Sequence, residues 1–212
     1  MTRRSSQSLR LGFDLRPGMR VGLLGGSFDP AHEGHAHVAR TALARLGLDR
    51  VIWLVSPQNP LKEGQPAASL AERFAGARRI ASGPRMIVSD LEARLGSRYT
   101  LDVVRMLRNR YPSVRFVWLM GADNLATFHL WRGWQQIARL APICAVARPG
   151  WALAGRSSPF ARRFARARRP ASEARRLATL TPPAWTYLTA PLNFASSTAI
   201  RAKARAGAEK AS

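Results

Sequence analysis

Val21-Gly22-Leu23-Leu24-Gly25-Gly26-Ser27-Phe28-Asp29-Pro30-Ala31-His32-Glu33-Gly34-His35 is the stretch on which the fold turns. Val21 to Leu24 is a short apolar run, the pattern of a central parallel strand covered on both faces. Gly25-Gly26 predicts a tight turn in which the backbone comes close to a ligand with no Cβ in the way. Pro30 fixes φ ahead of a helix, predicted over Glu33 to Leu46 from small and apolar residues at helical spacing, and Gly47 stops it. A glycine turn running into a helix N-terminus offers backbone N–H groups to a phosphate. His32 and His35 are three residues apart, so at a helix start they face one way together. His37 falls on a different side of that helix and reads as a surface or packing residue. No Cys or Asp stands at ligand spacing from these histidines, so no metal centre is expected.

Outward from this stretch, strands and helices alternate. Further strands are predicted at Val51–Val55, Met86–Ser89, Val114–Met120, Ile143–Ala147 and Trp185–Leu188. Ser69-Leu70-Ala71-Glu72 has the form of a capping box and opens a helix to about Ala81. Residues 90–98 read as a loop. Thr100 is placed as the N-cap of a helix ending near Asn109, with Asp102 in its first turn. A short helix follows Gly121-Ala122-Asp123, another runs to about Leu140, and one long arginine-rich helix is expected between Pro159 and Leu180. A last helix opens at Ser196-Ser197-Thr198. This alternation predicts an α/β fold: a doubly wound, Rossmann-like parallel sheet with helices on both faces. Ligands then bind beyond the carboxyl ends of the strands. Four polar loops fall there, at residues 25–35, 56–63, 121–123 and 148–150.

The 212 residues suit one domain with a real core. Residues 1–18, rich in Ser and Arg, are read as a flexible extension without the apolar core of a secretory signal, 19–206 as the domain and 207–212 as a tail. No apolar run is long enough to span a membrane, so no membrane partner is expected. The single cysteine, Cys144, excludes an internal disulfide and fits a cytoplasmic location. The net charge is +22. Arginine supplies most of it, and the block Arg156, Arg162, Arg163, Arg166, Arg168, Arg169, Arg175 and Arg176 is balanced only by Glu173. Neither a single-strand platform nor finger spacing is read there, so a solvated basic surface is expected rather than a nucleic-acid partner.

Residues 25–35 closely resemble the G-G-S/T-F-D-P-x-H-x-G-H signature of the nucleotidylyltransferase superfamily. Ala195-Ser196-Ser197-Thr198-Ala199-Ile200-Arg201 resembles its I-S-S/A-T-x-I-R motif, with Ala195 in place of the usual Ile. Within the superfamily, further segments resemble the nicotinate-nucleotide adenylyltransferases. Ser97-Arg98-Tyr99-Thr100 is similar to S-Y-T with Arg98 inserted, and Gly121 to Trp131 to G-x-D-x-L-x-x-F-x-x-W. Arg148-Pro149-Gly150 matches R-P-G, and Asn59-Pro60-Leu61-Lys62 looks like N-P-x-K. The likeness runs from about Met19 to Arg205. Many relatives carry a further helix beyond that point, so the far edge is expected to be shortened here.

The resemblance implies transfer of the adenylyl group of ATP to nicotinate mononucleotide, giving nicotinate adenine dinucleotide and pyrophosphate, with Mg²⁺ arriving on ATP. It assigns catalysis to His32, His35 and Arg201. ATP binding falls to these three with Gly25, Gly26, Ser27, Phe28, Gly121, Asp123, Ser197 and Thr198. Nicotinate mononucleotide binding falls to Asn59, Lys62, Tyr99, Thr100, Trp131 and Arg148, with Trp131 stacking on the pyridine ring. The nucleophile is a phosphate with a second pKa of roughly 6, so no general base is required. Transfer to nicotinamide mononucleotide or another acceptor stays open on this reading, as does a nucleic-acid-binding role for the arginine block. The sequence leaves oligomeric state open.

Overall fold

The computed structural model describes residues 11–57, 68–191 and 193–209. Taken in order, its elements are β1 (Arg20–Gly26), α1 (Glu33–Leu46), β2 (Arg50–Val55), α2 (Leu70–Ile80), β3 (Met86–Ser89), α3 (Leu91–Arg94), α4 (Thr100–Arg110) and β4 (Arg115–Gly121). Next come α5 (Ala122–Thr127), α6 (Trp134–Leu140), β5 (Ile143–Val146), α7 (Ala152–Arg156), α8 (Pro159–Arg163), β6 (Arg168–Arg169), β7 (Trp185–Leu188) and α9 (Ser197–Glu209). The strands form one sheet in the order β3-β2-β1-β4-β5-β7-β6, and every pairing is parallel. This is the doubly wound arrangement expected from the sequence, with its switch point between β1 and β4.

Alternation along the strands sends successive residues to opposite faces. Val21 and Leu23 of β1 and Phe116 and Trp118 of β4 join Val104 and Leu107 of α4 and Ile137 of α6 on one side. Leu24, Val117 and Leu119 join Ala39, Leu43 and Leu46 of α1 on the other. Both faces are dry, which is why the strands read as continuous apolar runs. Helix α1 ends as predicted, with Gly47 in the left-handed region at φ 62° donating its N–H to Leu43. Helix α2 carries the predicted reciprocal cap between Ser69 and Glu72. Upstream of residue 19, the Leu11 and Leu15 side chains are buried in the core, so packed chain begins before the expected domain boundary.

Three local expectations are corrected. The long helix between Pro159 and Leu180 is instead α8, a 3-10 turn (Ala165–Ala167), β6 and a 3-10 segment (Ala171–Thr179). Pro170 lacks the N–H a helix would need there. The chain spends its hydrogen bonds on β7 instead: Trp185 Nε1–H donates to the Phe164 carbonyl at 2.8 Å and Thr186 Oγ1–H to that of Arg169 at 3.0 Å. Residues 90–98, expected as a loop, contain α3, steadied by the Arg94–Asp90 ion pair at 2.7 Å. Thr100 is the first helical residue rather than the cap. Tyr99 holds the cap position without a side-chain cap bond, and Ser97 braces this entry, its Oγ accepting from the Tyr99 N–H at 3.1 Å and donating to Asp102 at 2.8 Å.

Candidate active site

A crevice of ≈ 330 Å³ opens at the β1/β4 switch point. Its floor is the end of β1 and the residues after it, Gly25, Gly26 and Ser27, and one wall is Gly121 and Asp123 from the end of β4. The two glycines serve a purpose other than the predicted tight turn. Both lie within β1, and neither has a positive φ. A Cβ on Gly25 would meet the Trp118 indole at 2.5 Å, and one on Gly26 would meet the Phe28 ring at 3.2 Å. The glycines therefore make room for aromatic rings beneath the crevice. The sharp bend falls on Phe28, at φ 48°, a conformation that costs a non-glycine residue free energy. Its buried ring, stacked on Trp53 at 5.1 Å and edge-on to His35 at 4.9 Å, holds that bend.

At the start of α1 the two histidines cap the helix themselves. His32 Nδ1 accepts the Gly34 N–H at 3.1 Å, and the His32 N–H donates to His35 Nδ1 at 3.2 Å. The rings lie 3.8 Å apart. Since Nδ1 is an acceptor in both, each neutral ring carries its proton on Nε2. Burial, reinforced by the Arg148 cation and opposed by Asp123, lowers the His32 pKa to about 4. His32 is therefore neutral at physiological pH. The result is an N–H donor at the positive end of a helix dipole, ready for an anionic oxygen.

Arg148, just beyond β5, reaches over this helix start. Its Nη2–H donates to the Ala195 carbonyl at 3.1 Å, and its Nε lies 3.8 Å from Asp123. Gly34 is required beneath it, because a Cβ there would sit 2.1 Å from Arg148 Nη1. The chain entering α9 closes the crevice from the far side. Ser197 Oγ–H donates to the Pro30 carbonyl at 3.0 Å, and Arg201 donates to the Asp29 carbonyl. Ser196 Oγ caps α9 by accepting the Ala199 N–H at 3.1 Å. Both sequence signatures thus share one cavity.

The opposite end of the crevice is aromatic. Trp131 lines it while packing edge-on against Trp118 (6.1 Å) and Phe128 (5.3 Å). Tyr99 and Thr100, at the mouth of α4, line it too, and the Arg132 guanidinium sits 4.4 Å above the Tyr99 ring. Glu92 of α3 is buried on this wall. Burial raises its carboxyl to about 7 against the opposing hydrogen bond with Ser56.

Of the predicted residues, the crevice brings together Gly25, Gly26, Ser27, His32, His35, Tyr99, Thr100, Gly121, Asp123, Trp131, Arg148, Ser197 and Thr198. Phe28 and Arg201 are not on its wall: Phe28 is packed under His35, and Arg201 ties α9 to the turn through Asp29. Arg148, assigned to the mononucleotide, stands instead beside His32 at the helix start. Asn59 and Lys62 lie outside the described residues. Ser56 was covered only as the start of the 56–63 loop, and Glu92 and Arg132 were missed. Of these, Arg132 had a signal, a cation directly after the stacking candidate Trp131; Glu92 had none, being one charge in an expected loop. Among the described residues no group of three or more His, Cys, Asp or Glu could hold a metal ion. None of the arginines of the 156–176 block lines the crevice.

A Rossmann-like sheet with a histidine-capped helix and a serine-rich helix start facing one crevice defines a nucleotidyltransferase. The cytidylyltransferase-like family model matches residues 23–203. The chain belongs to that family and, within it, to the nicotinate-nucleotide adenylyltransferases. A Caulobacter protein described as "Probable nicotinate-nucleotide adenylyltransferase" is 66% identical over 189 residues, spanning 89% of this chain and 100% of its own length. A Cereibacter sphaeroides protein of the same description is 57% identical, over 88% of this chain and 99% of its own. Among solved structures, the Plasmodium falciparum nicotinic acid mononucleotide adenylyltransferase complexed with NaAD superposes with a TM-score of 0.65 at 13% identity. That match covers 87% of this chain and 83% of the other, and it shows the shared fold.

Proposed function

We infer that this chain transfers the adenylyl group of ATP to nicotinate mononucleotide, releasing pyrophosphate, a step of NAD biosynthesis. One observation carries the reading: His32 and His35 at the start of α1 and Ser196 to Thr198 at the start of α9 line a single crevice at the sheet's switch point. The acceptor phosphate is deprotonated at neutral pH and attacks the α-phosphorus of ATP, so the protein's task is alignment and charge stabilisation. In the proposed roles, the Nε2–H groups of His32 and His35, with Arg148, meet the triphosphate oxygens. Ser197 and Thr198 face the departing pyrophosphate. Arg201 holds α9 against the turn at Asp29, and Asp123 orients Arg148. Trp131 stacks on the pyridine ring beside Tyr99 and Thr100. Asn59 and Lys62 are proposed for the same substrate from the sequence likeness alone.

Mg²⁺ enters with ATP as part of the substrate, since Asp123, the carboxylate that acts on both His32 and Arg148, is already engaged by that arginine. The arginine-rich stretch contributes Phe160, Phe164 and Leu177 to the core and supplies nothing to the crevice. The test is a steady-state assay with ATP and either nicotinate or nicotinamide mononucleotide, reading dinucleotide and pyrophosphate together. Turnover with the nicotinate substrate is expected; stoichiometric products absent at saturating substrates would refute the reading.

A further inference from the structure

The most deeply committed cation near the crevice is one that does not line it. Arg73 belongs to α2 yet is 5% exposed. Its guanidinium donates to four main-chain carbonyls: Nη1 to Ser27 at 2.7 Å and to Ser56 at 2.6 Å, Nη2 to Pro57 at 2.7 Å and Nε to Ala68 at 3.0 Å. None of these partners is a carboxylate. The acid that acts on it electrostatically is Asp29, on the turn itself. A buried guanidinium is costly to desolvate, and it is satisfied here only because three separate segments bring oxygens to one plane.

Two of those segments line the crevice, through Ser27 and Ser56. Ser27 follows β1 and lies on the floor beside the histidines, while Ser56 follows β2 and carries the hydrogen bond to Glu92 on the aromatic side. The Ser56 N–H also donates to Gly26 at 2.9 Å, extending the β1–β2 pairing past its end. Parallel strands end with carbonyl oxygens directed toward the space where a polyanion would sit. Arg73 engages the Ser27 and Ser56 oxygens and places a positive charge against them. We propose that Arg73 is a positioning residue that sets the nucleotide turn and the acceptor wall in one register, so that both substrates depend on it although neither touches it.

This inference rests on the crevice being an adenylyltransferase site. Lysine at position 73 keeps the charge but cannot span oxygens from three segments; glutamine loses both. Arg73→Lys and Arg73→Gln are compared with wild type by thermal unfolding and by kcat and KM for ATP and for nicotinate mononucleotide, well below each melting temperature. Arg73→Lys is expected to raise KM for both substrates about tenfold and lower kcat about tenfold, as expected when reacting groups are misplaced by a fraction of an ångström. Arg73→Gln is expected to lose a further tenfold. Where the glutamine variant does not fold, the lysine variant decides. A lower melting temperature with kinetic constants within threefold of wild type would make Arg73 merely structural and overturn the proposal, as would a change confined to one substrate. A wild-type chain with no turnover overturns the adenylyltransferase reading, and this inference with it.

Discussion

Gly34→Ala replaces an α-hydrogen by a methyl group at a crowded point of the crevice. The new Cβ would lie 2.1 Å from Arg148 Nη1, 2.8 Å from the Ala195 oxygen and 2.9 Å from His32 Cε1. Carbon contacts settle at about 3.5–4.0 Å, so these neighbours must retreat by roughly 0.6–1.9 Å, the Arg148 tip most. The Arg148 tip alone could swing, but its Nη2–H is bound to the same Ala195 carbonyl. That carbonyl is main chain, one residue before Ser196, and His32 is fixed as the helix cap. Relief therefore separates α9's entry from α1's. Overpacking of this kind costs about 1–3 kcal/mol, and a chain of this length loses roughly 2–4 °C per kcal/mol. Misplacing catalytic groups by about 1 Å costs on the order of 100-fold in rate, equivalent to about 2.7 kcal/mol of barrier. The check is kcat/KM for ATP at saturating nicotinate mononucleotide, with thermal unfolding measured alongside. A variant that retains kcat/KM within threefold would show that the Arg148–Ala195–His32 contact is not part of the catalytic geometry.

Further outcomes are expected from other sites. His35→Ala removes an Nε2–H donor and should lower kcat about 10²–10³-fold, while loss of its share of the α1 cap costs about 0.5–2 kcal/mol of stability; turnover within threefold at saturating substrates would remove His35 from the transition state. Gly76→Ala lies mid-α2, where a Cβ meets nothing nearer than Arg79 at 3.8 Å, so it should stabilise the chain by about 0.5–1 kcal/mol with kinetics unchanged. A destabilised variant would mean that α2 is not a regular helix at that point. The pH dependence has two opposing parts. Glu92, raised from 4.5 to about 7, makes the native state hold more protons than the unfolded chain, so its burial costs stability as pH rises through that window. His32, lowered from 6.5 to about 4, does the reverse and costs stability as pH falls from 6.5 toward 4. Between about 4.5 and 6.5 the two largely cancel. Glu92→Gln should unmask the histidine as a slope approaching 1.4 kcal/mol per pH unit in urea unfolding, whereas a profile parallel to wild type would deny that Glu92 titrates in that range.

Much of this architecture is legible in the sequence because burial on both faces of a parallel sheet leaves uninterrupted apolar runs. Val51 to Val55 and Ile143 to Val146 need no other signal. The capping box at Ser69 and the stop at Gly47 are equally local. What stayed hidden depends on tertiary partners. Arg168 and Arg169 look helical among their neighbours, yet Pro170 and the pull of Trp185 and Thr186 make them an edge strand. Gly25 and Gly26 look like turn glycines, but their reason is the Trp118 and Phe28 rings. Arg73 and Glu92 are invisible for the same cause: a charged residue in an amphipathic helix or an apparent loop gives no sign that distant carbonyls or a serine will bury it.

A crevice built to receive two polyanions need not be lined with free positive charge. Arg148, the cation that reaches over the His32 helix start, is already tied to Asp123 and Ala195. His32 is kept neutral by burial and by that same arginine. Attraction at this end therefore rests on N–H dipoles, those of the imidazoles and of the helix start, with Arg73 behind the turn. Such donors bind anionic oxygen without first losing a counter-ion. Because His32 donates without taking up a proton, its contribution should hold across the pH range in which the acceptor phosphate is deprotonated. When a triphosphate does arrive, its charge must favour the protonated imidazole. Protonation at Nδ1 would break the His32 bond to Gly34, so the helix cap itself resists proton uptake. That resistance gives the capping geometry a catalytic meaning: it keeps the donors fixed in tautomer and direction while charge shifts from the α-phosphorus to the departing pyrophosphate.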